Sequence, residues 1–102
     1  MNFEKVKKRF GDDDFRLEGG QGTSVEDAIV ISDPKNPAVV IFVERIFLME
    51  IFGEEDSDWF LDRQQLLFLD DKAYDIFTLK MPDGRIGKIY FDVTSFFGSG
   101  TY

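Results

Sequence analysis

Between Pro37 and Phe52 the chain runs through sixteen residues of which only Glu44, Arg45 and Glu50 are charged. A segment this apolar has to be covered on several sides, so the fold must be built around it. It is too short and too charged to span a bilayer comfortably. Its ends read as helix punctuation. Asn36 suits the N-cap, Pro37 the first helical position, and Gly53 stands where a C′ glycine belongs. Val39, Val40 and Ile41 would also suit a strand; length and end signals favour the helix. A chain of 102 residues has little material with which to surround such a helix, so self-association through residues 38–52 is expected.

The flanking segments supply smaller elements. Phe3, Val6 and Phe10 recur at helical spacing over residues 3–10, until Gly11 and the Asp12, Asp13, Asp14 run interrupt them. Residues 18–23 read as a flexible turn. They lack the lysine and the preceding strand that a phosphate-binding loop requires. Ser24 to Asp27 resembles a capping box that offers one turn, and residues 28–31 follow as a short buried strand ended by Asp33-Pro34.

After the helix the signals are β. Residues 65–69, 73–81 and 86–94 read as strands, joined by turns at Asp70-Asp71 and at Pro82-Asp83-Gly84. Pairing Met81 with Arg85 places Phe77 opposite Ile89, Asp75 opposite Phe91 and Ala73 opposite Val93 on one mostly apolar face. Tyr74 then meets Asp92, Ile76 meets Tyr90 and Thr78 meets Lys88 on the other. Phe96 and Phe97 are expected to tuck under the sheet edge, and the last four residues to be mobile. The expected fold is a single α+β domain over residues 1–102. It is an antiparallel sheet of about three to four strands with a C-terminal meander, packed on one long apolar helix.

The chemistry open to this chain is narrow. It has no histidine and no cysteine, and its 20 Asp and Glu residues against 12 Lys and Arg leave a net charge of −8. The two missing types carry most neutral-pH proton transfer, thiol chemistry and transition-metal ligation. No catalytic residue, metal ligand or cofactor site is assigned. The aspartate runs are consecutive and lack the alternation of a calcium loop. The acids cluster in loops, with little room for a cleft between paired carboxylates. The negative balance disfavours nucleic acid and anionic membranes. Lys5, Lys7, Lys8 and Arg9 form a basic patch, but the adjacent aspartates favour an exposed helical face over a nucleic-acid arm. Without cysteine or an apolar leader in MNFEKVKKRF, a cytoplasmic location is expected.

What remains is recognition. The acidic segment 54–62 surrounds the only tryptophan, and Glu54, Glu55, Asp56, Asp58 and Trp59 are candidates for contact with a basic protein. Trp59 could equally anchor the core beneath a solvated loop. Tyr74, Tyr90 and Asp92 share the mixed face of the sheet, either as a recognition group or as structural cross-strand pairs.

Residues 19–31 (GGQGTSVEDAIVI), Trp59 and residues 74–98 (YDIFTLKMPDGRIGKIYFDVTSFFG) resemble small uncharacterised bacterial proteins of the type encoded in mobile cassettes and beside polymorphic toxins, where some are immunity proteins. The shared stretches are structural and carry no catalytic residues, so the resemblance assigns no site. It implies a non-enzymatic acidic protein-binding domain, such as an immunity protein neutralising a basic toxin. The alternative is a structural or regulatory homo-oligomer encoded on a mobile cassette, with the apolar helix at its interface and a homodimer as its simplest form.

Overall fold

A computed structural model of the protein describes residues 15–32 and 39–98. The expected helix at residues 3–10, the basic patch, the aspartate run at 12–14, the strand-ending Asp33-Pro34, the helix opening at 36–37 and the last four residues lie outside them. The elements follow as β1 (Arg16–Gly19), β2 (Ile29–Ser32), α1 (Val39–Phe52), β3 (Phe60–Leu69), β4 (Lys72–Lys80), β5 (Ile86–Asp92) and the short α2 (Thr94–Gly98).

Pro82, Asp83 and Gly84 set the register from which the sheet is built. Met81 N donates to Arg85 O at 2.8 Å and Gly84 N to Met81 O at 2.9 Å. Phe77 therefore opposes Ile89, Asp75 opposes Phe91 and Tyr74 opposes Asp92. The odd residues of β4 and β5 face α1. There Phe91 packs against Phe47 at 5.8 Å and edge-on against Phe77 at 5.7 Å. Val40, Val43, Phe47 and Leu48 bring the helix into the same core as Leu79, Ile89 and Val93. The second face is also closed along β4, where Tyr74 and Ile76 pack with Ala28.

The expected antiparallel sheet of three to four strands is overturned. The sheet has five strands in the order β1-β2-β5-β4-β3, and it is mixed, because β2 runs parallel to β5. β1 has no apolar alternation and is recruited through its backbone, with Leu17 opposite Ile31. The parallel pair joins Ile29 to Phe91 across the intervening helix and hairpins, a contact that no local pattern encodes. β3 begins at Phe60 rather than 65, with a bulge between Leu61 and Arg63 that absorbs Asp62.

The single long apolar helix is overturned as well. α1 has 14 residues within the described range, buries Glu44 and leaves Ile41, Phe42 and Met49 exposed. One sheet face covers only one side of a helix, so apolar residues on its outer side stay in solvent. Gly53 ends it as expected, with φ at 100° and its N–H donating to Met49 O at 3.0 Å. Phe96 is buried from the short α2.

Candidate functional site

The acidic segment folds into one tight turn between α1 and β3. Asp58 N and Ser57 N donate to Glu54 O at 2.8 and 3.3 Å, and Asp56 N to Trp59 O at 2.7 Å. The Asp58 carboxylate accepts from Glu54 N at 2.7 Å. Trp59 is fully buried, and its Nε1 donates to Gly53 O at 2.8 Å. Of the two readings of this tryptophan, the core anchor describes its position: it holds the turn from beneath and presents no surface of its own. Glu54, Glu55, Asp56 and Asp58 are all exposed. Glu55 is paired with Arg45 at 3.2 Å, and that guanidinium also lies 6.0 Å from the Phe77 ring centre.

Beside this turn lies a groove of about 610 Å³ between the C-terminal end of α1 and the β4–β5 hairpin tip. Ile51, Phe52, Met81 and Ile86 supply its apolar lining, and Asp58, Asp83 and Arg85 its charge. Gly87 contributes no side chain, and a Cβ there would come within 3.1 Å of Met81 Cε and 3.2 Å of Phe52 Cε1. Arg85 Nε is held by Asp83 Oδ2 at 2.6 Å. The backbone N–H of Arg85, and then its guanidinium, lower the pKa of Asp83. The groove therefore combines an apolar floor with carboxylates whose net sign is negative. It went unrecognised in the sequence because its lining comes from three separated segments.

Tyr74, Tyr90 and Asp92 do share one face, but not with the acidic turn. The turn feeds into Phe60, which pairs with Lys80, whereas Tyr74 lies six residues further along β4, about 20 Å away at strand rise. Tyr74 and Asp92 are buried and Tyr90 half-buried. Asp92 Oδ1 accepts from Thr94 N at 3.0 Å and from Thr94 Oγ1 at 2.6 Å, and Thr94 Oγ1 accepts from Ala73 N at 3.0 Å. The carboxylate is thus committed to starting α2 and tying it to β4. The eight candidate residues fall into two groups at opposite ends of the sheet.

One constellation escaped the sequence reading. Glu44 of α1 and Asp75 of β4 meet inside the core, only 2% and 3% exposed. Burial pushes the Glu44 carboxyl up to about 10, helped by its hydrogen bond to Asp75 and that residue's negative charge; Arg45 opposes the shift. The protonated Glu44 is the donor and Asp75 the acceptor, while Gln64 Nε2 approaches the Asp75 oxygens at 3.4 and 3.5 Å. Glu44 Oε2 is the one buried side-chain oxygen or nitrogen among the described residues without a hydrogen-bond partner. A signal was present, since the hairpin register had already placed Asp75 on the apolar face.

The glycine-rich turn is occupied by its own backbone. Gly20 N donates to Ala28 O at 3.1 Å and Gly22 N to Asp27 O at 2.7 Å, so those amides are not presented to an anion. Asp27 accepts from Thr23 Oγ1 at 2.7 Å, the main cause of its lowered pKa. Its backbone N–H donates to Ser24 Oγ at 3.2 Å, which is the cap that the S-V-E-D stretch suggested. Among the described residues no group of three or more acids could hold a metal ion, and no helix is long and apolar enough to cross a membrane. No family model matches the chain, and no curated protein or solved structure does.

Proposed function

We propose that this protein is a non-enzymatic, cytoplasmic protein-binding domain whose acidic surface takes a basic protein, in the manner of an immunity protein neutralising a toxin. The observation that carries the reading is the exposed acidic turn set beside an apolar groove. Glu54, Glu55, Asp56 and Asp58 stand on a turn fixed by its own hydrogen bonds, next to Ile51, Phe52, Met81 and Ile86. Preformed charge steers a complementary partner, and an apolar floor lets the contact hold after encounter. The negative surplus of the whole chain works against nucleic acid and anionic membranes as partners.

The test starts with a partner captured from the native host and identified by mass spectrometry. Its association is then followed by stopped flow at two ionic strengths. Replacing Glu54 and Glu55 by Gln and Asp56 and Asp58 by Asn removes the charge and keeps the turn's acceptors. Association should slow by roughly tenfold and lose most of its salt dependence, with dissociation little changed. An unchanged rate and salt slope would remove this turn from the interface.

A second reading has its own observation. Ile41 and Phe42 are 58% and 61% exposed on α1. A regulatory or structural homo-oligomer would cover them, and Phe42→Lys should then abolish self-association in sedimentation while preserving the circular dichroism spectrum.

A further inference from the structure

We infer that the open edge of β5 takes an extended segment of a partner protein as an added strand, with a lysine or arginine of that segment laid along the groove toward Asp58. This deepens the reading of an acidic surface that takes a basic protein, and it rests on that reading. The edge is set by parity. Met81 N donates to Arg85 O and Val93 N to Ala73 O, so the odd residues of β5 turn their backbone groups to β4. The even ones turn theirs the other way. Tyr90 N is already bonded there, to Gly22 O at 2.8 Å, and β2 pairs with β5 only at Phe91 and Asp92. Ile86 and Lys88 lie outside both contacts, and among the described residues neither has a backbone partner on that side. Strand-edge groups left open in this way are what an incoming extended peptide bonds to.

The groove opens at the same place, because Ile86 and Gly87 line it. Odd residues of β5 face α1, so Gly87 stands on the helix side of the sheet. It has no side chain to close the way from the strand edge to Phe52 and Met81. A strand added beside β5 lays the side chain opposite Gly87 over those two residues.

The chemistry of that side chain follows from the lining. Ile51, Phe52 and Met81 make an apolar floor. Among the charges, Asp83 and Arg85 bind one another at 2.6 Å, which leaves Asp58 as the carboxylate without a cation. Its Oδ2 accepts only the uncharged Glu54 N–H. An apolar floor beside one uncompensated carboxylate matches a long aliphatic stem that ends on a cation, which is lysine or arginine. Glu54 and Asp56 on the adjoining turn add charge of the same sign, and neither has a cation partner among the described residues. The same acids stand on every copy of the chain, so like charge works against a second copy as the occupant.

The probe is a short capped peptide of alternating lysine and valine, added to the intact isotope-labelled chain with the backbone amides followed by NMR. Its lysines fall on the groove side and its valines on the other face. Exchange of the Ile86 and Lys88 amides should slow roughly tenfold on binding, while Gly87 and Ile89, already bonded to β4, change little. The same peptide with glutamate for lysine should not bind. Lys88→Pro removes an outward N–H that no ladder uses and should weaken the lysine peptide roughly tenfold or more. Ile86→Pro, at the first residue of the strand, makes the same test should Lys88→Pro fold poorly. Proline variants that bind like the wild type, while the Gln and Asn replacements in the acidic turn weaken binding, would overturn the added strand and leave the acidic surface standing. Equal binding of the glutamate peptide would overturn the charge match and the acidic-surface reading with it. The inference also falls if millimolar lysine peptide leaves both edge amides unprotected. Protection that grows with the concentration of the chain alone would overturn it too, by giving the edge to a second copy.

Discussion

Glu44 shows how much one side chain can set the conditions under which this fold is stable. Its carboxyl is held near 10 in the folded chain, chiefly by burial, against an ordinary value of 4.5. Between those values the folded chain keeps a proton that the unfolded chain releases. Stability from this group is therefore full below the unfolded value and is lost as pH rises through the folded one, by at most roughly 1.4 kcal/mol per pH unit. Glu44→Gln keeps a donor for Asp75 and has no proton to lose. It should raise stability near neutral pH by on the order of 2 kcal/mol and flatten the fall of the urea midpoint between about pH 6 and about pH 8. A variant with the wild-type slope would show that Glu44 is not the group responsible. Asp71 allows a simpler test. Asp70 and Asp71 form a two-residue hairpin turn with φ of 51° and 63°, the left-handed region at both positions. Asp71→Gly should stabilise the hairpin by about 0.5 kcal/mol, read as a higher urea midpoint, and a lower midpoint would contradict the turn geometry.

At the scale of elements, the loop between β1 and β2 acts as an extension of the sheet. Tyr90 N donates to Gly22 O at 2.8 Å, which continues the β5 edge just before β5 meets β2. Gly22 is buried at φ 81°, and a Cβ there would lie 2.9 Å from Ile89 Cγ1. Gly22→Ala should therefore cost about 2 kcal/mol through strain and crowding together. In chemical denaturation that appears as a shifted midpoint, and a neutral result would mean the loop can leave β5 freely. The residues that look like a phosphate cradle in one dimension are instead a packed connection. The helix shows the converse. Its C-terminal end was readable at Gly53, while the side it would bury was not, because Glu44, Arg45 and Glu50 mark no single polar face.

For the whole molecule, charge is the dominant property. A net −8 on 102 residues places like charges close together over the surface, and compaction works against that repulsion. Raising salt from very low to physiological strength should increase the thermal midpoint by about 2 °C, because screening relieves repulsion more than it weakens exposed pairs such as Arg45–Glu55. A midpoint that falls with salt would mean that surface ion pairs dominate. The same charge is spatially sorted. The acidic turn and groove lie at the hairpin-tip end of the sheet, while the exposed apolar residues Leu66, Leu67 and Leu69 lie toward the opposite end of β3.

Local chemistry was enough to place the β4–β5 hairpin and its register, the glycine that ends α1, the cap at Ser24 and the face shared by Tyr74, Tyr90 and Asp92. Each depends on residues close in sequence or on one turn that fixes a parity. The position of β1, the parallel pairing of β2 with β5 and the full length of β3 belong to tertiary structure, because backbone pairing across some sixty residues leaves no periodic trace. The same holds for the candidate sites. The four exposed acids were visible as composition, yet only packing decided that Trp59 lies beneath them, that a groove opens beside them, and that Glu44 and Asp75 meet in the core. Side chains from α1, β3 and β4 converge there because the helix crosses the sheet at that point.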